Sequence, residues 1–223
     1  RMATQPDELL VHLGIVTLEG GVQASAMIPV FVGPVQEGGT AVAPFKAIGT
    51  PIVDAAGPMP YLTLQGLFDP AYPTGKRNYW KSAFIDRLSD ELIDVLVDAY
   101  ASAPSPSVTF FLEQMGGAID RVGDNATAFP HRGATYNFLI TSAWDDPAND
   151  DVNVSWVGET WATIEPHLKG GGYVNYLSDR QLEGSDRVRA SYGDNYAWLT
   201  ALKQQYDPGN RFRHNQNIVP SAS

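Results

Sequence analysis

The chain has 223 residues, of which 43% are hydrophobic and 18% charged, the balance of a globular protein long enough to bury a substantial core. A formal net charge of −10 argues against nucleic acid as a partner, because its recognition depends on Lys and Arg neutralising phosphates. The lack of cysteine removes disulfides, thiolate metal sites and a cysteine nucleophile, and it fits a cytoplasmic protein.

No apolar run approaches the roughly 20 residues of a membrane helix, so no membrane partner is expected. Arg1 to Glu8 is too polar to open a signal peptide. From there, Leu9–Leu18 and Gln23–Phe31 are two apolar, branched runs separated by Glu19-Gly20-Gly21, which predicts an antiparallel hairpin. Between Val35 and Ile48, Val42, Phe45 and Ile48 recur at three-residue spacing and predict a short amphipathic helix ending at Gly49. Pro51–Pro73 is rich in proline and aromatics and reads as a strand followed by an irregular connection.

Asn78–Ile85 reads as a strand. The clearest helix follows, Ser89–Ala101, with Ser89 as N-cap and Asp90 and Glu91 in the first turn, where the helix dipole favours acids. Val108–Leu112 and Asn137–Trp144 are β-like, with an acidic loop at Asp145–Asp151 and a helix over Val154–Leu168. Three glycines, Gly170 to Gly172, lead into Tyr173-Val174-Asn175-Tyr176, whose alternation predicts a short strand. Tyr173 and Asn175 would then share one face, and Ser178-Asp179 would signal a helix start. A helix near Asn195–Tyr206 stops at Asp207-Pro208-Gly209. Strand pairs with helices between them predict an α+β fold: a single, mainly antiparallel β-sheet with helices packed on one face.

Neither G-x-G-x-x-G nor a Walker loop occurs, so the chain offers no nucleotide cradle of that kind, and G-x-S-x-G is absent too. His12, His131, His167 and His214 stand apart without metal-ligand spacing, so no metal site is expected. What remains is a set of aromatics, amides and basic residues near strand ends: Tyr79-Trp80-Lys81-Ser82, Glu113-Gln114, Phe129-Pro130-His131-Arg132 and Tyr173-x-Asn175-Tyr176. Each is accounted for by packing and ion pairing, since buried Tyr and Trp usually find a hydrogen-bond partner, and each also suits the wall of a polar–aromatic pocket.

Several segments occur together and in order: Gly57-Pro58-Met59-Pro60-Tyr61, Arg77-x-Tyr79-Trp80-Lys81-Ser82, Ala128-Phe129-Pro130-His131-Arg132, Tyr173-Val174-Asn175-Tyr176 and Tyr192-Gly193-x-Asn195-Tyr196. The tail Lys203-x-x-Tyr206-Asp207-Pro208-x-Asn210-x-Phe212-x-x-Asn215-Gln216-Asn217-Ile218 follows. Together they resemble the C-terminal half of the berberine bridge enzyme-like FAD-linked oxidases. The resemblance implies a substrate-binding α+β domain over residues 1–170 and a closing segment over 171–223, the two forming one compact unit. It also implies FAD as the cofactor of the complete enzyme, bound by an N-terminal domain that this chain does not show and that would join it in cis or in trans. The sheet would cover the flavin ring and its exposed face would hold a small-molecule substrate.

The activity implied is oxidation of an alcohol, a sugar or a secondary metabolite, with hydride passing to flavin N5 and dioxygen reoxidising the flavin. The resemblance assigns the proton-accepting role to Tyr176, with Tyr173 as the alternative. It gives Asn175 a flavin contact and makes Gln114, Lys81 and Arg132 pocket residues. A phenol titrates near pH 10, so a tyrosine base calls for positive charge or a preorganised hydrogen bond beside it, and Lys81 and Arg132 are the candidate sources. Lys81 and Arg132 serve equally as structural ion-pair residues. A non-enzymatic reading stands beside this one: a stand-alone or truncated relic that serves as a binding module, or as a dimer closed over its open sheet face.

Overall fold

The structure, a computed structural model, describes residues 5–177, 180–214 and 216–221, with only the backbone of 180–185. Five strands, β1 (Leu9–Thr17), β2 (Gln23–Phe31), β3 (Arg77–Ile85), β4 (Thr109–Gln114) and β5 (Tyr136–Trp144), form one sheet in the order β2-β1-β4-β5-β3. Every pairing is antiparallel. The β1–β2 hairpin turns through Glu19–Gly21, where Gly20 and Gly21 both take φ +81°, backbone that side chains rarely adopt.

Strand alternation splits the sheet into two faces with different coverings. On the first, Leu13, Ile15, Tyr79, Ala83, Phe110, Leu112, Tyr136, Phe138 and Ile140 meet helices α3 (Asp90–Ala101) and α4 (Asp150–Ile164). Helix α3 contributes Leu92, Leu96 and Tyr100, spaced four residues apart on a single stripe, and α4 contributes Trp156, Val157, Trp161 and Ile164. Aromatic rings lock this layer: Phe110 meets Tyr100 edge-on at 5.2 Å and stacks on Trp156 at 6.0 Å. Helix α1 (Val35–Lys46) covers the far end of the same face, where Phe45 packs on Leu9 and Val11. The expected α+β architecture, one antiparallel sheet with helices on one face, is what the chain adopts.

The second face carries His12, Gly14, Trp80, Ser82, Phe84, Phe111, Glu113, Asn137, Leu139 and Thr141, as the register requires. It is covered by irregular chain and short turns. α2 (Tyr61–Gln65) is a single short helix within the Pro51–Pro73 segment, and no strand forms among these residues. Prolines at 51, 58, 60, 70 and 73 remove ladder donors there, which is why the expected strand is missing. Helix α4 begins four residues earlier than the apolar pattern indicates, because Asp150 and Asp151 fit a helix N-terminus.

After α4 the chain crosses the open edge of β3. Lys169 N donates to Phe84 O at 2.8 Å, and Gly172 approaches Ser82 O so closely that a Cβ would lie 2.6 Å from it. The strand expected at Tyr173–Tyr176 is instead a single 3₁₀ turn, Val174–Tyr176, closed by Tyr176 N to Tyr173 O at 2.8 Å. Having left the sheet edge, the segment satisfies its own backbone groups locally. Tyr173 and Tyr176 therefore meet at i,i+3 with ring centroids 5.2 Å apart, rather than facing opposite ways.

The expected start at Ser178-Asp179 lies outside the described residues. Helix α5 (Arg180–Tyr192) follows that start signal, although its sequence RQLEGSDRVRASY has too few apolar residues to show a helical period. α6 (Asn195–Tyr206) ends at Asp207 as expected, and Asp207 accepts from the backbone N–H groups of Arg211 and Phe212. Among the described residues no helix is long and apolar enough to cross a membrane.

Candidate active site

A cavity of about 530 Å³ opens on the second face of the sheet. Its floor comes from β4 and β5. Phe111 and Glu113 are two residues apart on β4, so both point the same way, and across the strand pair they oppose Leu139 and Asn137. Trp80 of β3 forms a further wall. Tyr72 reaches in from the connection before β3, its ring 5.4 Å from Trp80 and its hydroxyl 3.3 Å from Thr141 Oγ1. Phe68 meets Phe111 edge-on at 5.6 Å.

Tyr176 closes the cavity from the 3₁₀ turn. Its hydroxyl donates to Glu113 Oε1 at 2.7 Å, while Asn137 Nδ2 donates to Glu113 Oε2 at 2.6 Å. Both carboxylate oxygens are thus held by neutral donors, and among the described residues no cation pairs with Glu113. Burial, together with the hydrogen bond to Glu113 and its negative charge, pushes the Tyr176 phenol above its ordinary ionisation range. Trp80 sits 6.2 Å from Tyr176, and Tyr173 continues the aromatic row to Phe129 at 6.1 Å.

Of the residues singled out from sequence, Tyr176 and Tyr173 stand here together. Asn175 is exposed on the same turn and donates through Nδ2 to the Tyr173 hydroxyl at 2.8 Å, leaving Oδ1 open to solvent. The other three lie elsewhere. Gln114 is one residue out of phase with Glu113, and its Oε1 accepts from Val11 N at 2.8 Å, bridging β4 to β1 on the opposite side. Lys81, one residue past Trp80, faces the helices, with Nζ 5.2 Å from the centre of the Trp161 ring.

Arg132 donates to Thr127 Oγ1 at 2.7 Å and to Ile119 O at 3.4 Å, and lies over Phe129 at 5.4 Å, so it braces the loop before β5. The positive charge expected beside the tyrosine comes from neither Lys81 nor Arg132: strand alternation turns one away, and loop contacts hold the other. A carboxylate occupies that place instead. Glu113, which the sequence marks beside Gln114 without giving it a role, and Asn137 are readable in principle by counting alternate positions from Phe111 and Leu139.

His131 has a structural role. It stacks on Phe84 at 4.4 Å and its Nε2 bonds Ser191 O at 3.1 Å, tying α5 to the sheet. Burial lowers its pKa below the ordinary value.

This antiparallel α+β sheet with helices on one face is also the fold of solved berberine bridge enzyme-like proteins. Residues 172–219 match the family described as Berberine and berberine like, and nearly the whole chain aligns with proteins named FAD-linked oxidoreductases. An FAD-linked oxidoreductase of Dictyostelium discoideum is 28% identical over 217 residues, which cover 96% of this chain and 46% of that protein. The FAD-linked oxidoreductase YvdP of Bacillus subtilis is 30% identical, over 86% of this chain and 43% of its own. Among solved structures, BBE-like #28 of Arabidopsis thaliana superposes with a TM-score of 0.82 at 18% identity, over 98% of this chain and 51% of that one. The chain therefore spans about half the length of the relatives it matches.

Proposed function

We propose that this chain is the substrate-binding part of an FAD-dependent oxidoreductase acting on an alcohol, sugar or secondary metabolite, with Tyr176 and Glu113 as its proton-accepting pair. The observation that carries the reading is the Tyr176 hydroxyl bonded to Glu113 at 2.7 Å at the floor of an aromatic-walled cavity. Tyr176 with its ionisation pushed upward is a poor free phenolate. Already donating its own proton to Glu113, it still has lone pairs with which to accept another. A substrate hydroxyl donating to Tyr176 would pass its proton onward through that bond, so that Glu113 takes up a proton as a neutral carboxylic acid and Tyr176 remains a neutral phenol, never a buried phenolate. Asn137 holds Glu113 in place, and Trp80 and Phe111 supply flat apolar walls against which a substrate ring can lie.

The residues of this chain suit a flavin in one respect. The open Oδ1 of Asn175, on the turn that carries Tyr173 and Tyr176, is an acceptor for a ring-edge N–H, and Asn175 would hold the flavin there. Bound FAD supplies the two-electron acceptor and its reoxidation by dioxygen. In this reading residues 1–170 form the substrate domain and 171–223 the segment that closes on the FAD-binding half.

The test is to supply the FAD-binding half of a relative in trans. Under anaerobic conditions the yellow flavin band should bleach when substrates from these three classes are screened, and peroxide should appear on admitting air. Bleaching should fall by about 10²- to 10⁴-fold in Tyr176→Phe, the range for loss of a positioned proton acceptor. A complex that holds flavin yet shows the same bleaching in Tyr176→Phe and Glu113→Gln would defeat the assignment. Flavin neither bound nor quenched in any combination would leave a binding module as the better description.

A further inference from the structure

We infer that the cavity over Glu113 selects an organic cation, a protonated amine carried beside an aromatic or apolar ring, over neutral and anionic molecules of the same shape. This deepens the reading above, on which the cavity is the substrate site, but its argument and its test require no flavin.

Three observations on this face converge. First, Glu113 is a carboxylate without a countercharge among the described residues: its oxygens are occupied by the Tyr176 hydroxyl at 2.7 Å and the Asn137 amide at 2.6 Å, both neutral. Second, every influence on the Tyr176 hydroxyl, burial first and then the hydrogen bond and charge of Glu113, disfavours its ionisation, so no positive charge acts there among the described residues. Third, the lining includes the rings of Trp80, Tyr72 and Phe111, and the faces of such rings attract cations.

The cation among the cavity's lining residues, Lys76, is committed at the rim to Asp145, at 2.8 Å from Nζ to Oδ2. That pair is neutral overall, so the floor keeps its negative charge. A ligand ammonium placed between the rings and Glu113 would satisfy the carboxylate and the ring faces at once. A ligand carboxylate would meet Glu113 directly. An aromatic cavity without the carboxylate would keep only the smaller cation preference of its rings.

The experiment uses this chain without flavin and three probes of one size at pH 7: 2-phenylethylammonium, 2-phenylethanol and 3-phenylpropanoate. Binding is read by calorimetry and by quenching of tryptophan fluorescence. The ammonium is expected to bind about tenfold or more tightly than the alcohol, with 3-phenylpropanoate weakest, and the preference should shrink as salt is raised. In Glu113→Gln, checked for folding by circular dichroism and thermal melting, the ammonium's advantage should shrink to the few-fold that the rings alone supply.

Equal binding of all three probes to the unaltered chain, binding of none, or a cation preference undiminished in Glu113→Gln would each overturn the inference. The ranking and its salt dependence in the unaltered chain decide the matter even if the variant does not fold. Failure here would leave the oxidase reading standing, and failure to bleach flavin would leave this preference standing.

Discussion

At the scale of single residues, the site turns on a parity of one. Glu113 and Gln114 are adjacent, yet the first enters the cavity and the second bonds Val11 N at 2.8 Å on the other side. Trp80 and Lys81 divide in the same way. The sequence marks all four as polar or aromatic near strand ends, but their facing depends on register, which is set by the partner strands. The consequence for Tyr176 is testable by titration. Its ionisation is raised by burial and by Glu113, so the folded chain keeps the phenolic proton at pH values where the unfolded chain has lost it. Between the ordinary phenol range near pH 10 and the higher folded value, the folded state binds more protons, and stability must fall as pH rises. Tyr100, Tyr136 and Tyr192 are raised as well, so the contribution is isolated by difference. The alkaline loss of stability above about pH 10 should be shallower in Tyr176→Phe than in the unaltered chain, measured by urea unfolding at stepped pH. Parallel curves would mean that Tyr176 titrates as an ordinary phenol.

At the scale of elements, local signals worked where one side of an element alone decides its structure. Helix α3 was legible because its cap and its stripe agree: Ser89 Oγ accepts from Leu92 N at 3.2 Å, and Leu92, Leu96 and Tyr100 are buried. Ser89→Ala should cost about 1 kcal/mol in denaturant unfolding. The turn that carries Tyr176 was misread as a strand because Tyr-Val-Asn-Tyr has the composition and alternation of one, while the deciding contact is with Ser82, far away in sequence. The glycines before it make that contact measurable. At Gly171, φ is +86° and a Cβ would lie 2.6 Å from His131 Cε1; at Gly172 it would lie 2.6 Å from Ser82 O; at Gly170 it would meet nothing within 4 Å. Gly171→Ala and Gly172→Ala should each destabilise the docked segment by about 1–3 kcal/mol, the usual cost of forced backbone strain, and Gly170→Ala by far less. Equal unfolding midpoints for the three variants would show that the segment does not depend on this close approach. The tail motif has a similar explanation. Asp207 accepts from Lys203 Nζ and from two backbone N–H groups, which hold its carboxyl down to about 2, and Asn210 takes φ +47°. The Tyr-Asp-Pro-x-Asn signature that makes the family recognisable is therefore a helix stop, and its chemistry is structural.

At the scale of the whole molecule, several large apolar side chains stand exposed. Leu62 is 84% exposed, Val32 74%, Ile52 71%, and in the tail Phe212 is 83% and Tyr206 78% exposed. The first three sit in the span from β2 to α2, where proline-rich chain leaves side chains outward instead of folding them into a core. Apolar surface of this kind in a soluble chain marks a contact with something else. Because the chain spans about half the length of the relatives it matches, the FAD-binding half is the cover we expect, with a second copy of this chain as the substitute when that half is missing. Sedimentation should then show concentration-dependent association of the chain alone, reduced when an FAD-binding half is supplied in trans. Leu62→Glu together with Ile52→Lys should weaken both associations without shifting the thermal melt of the monomer, since neither side chain is buried in the core. A monodisperse monomer at every concentration, unaltered by the FAD half, would mean that this surface needs no cover, and the closing role proposed for the tail would lose its support.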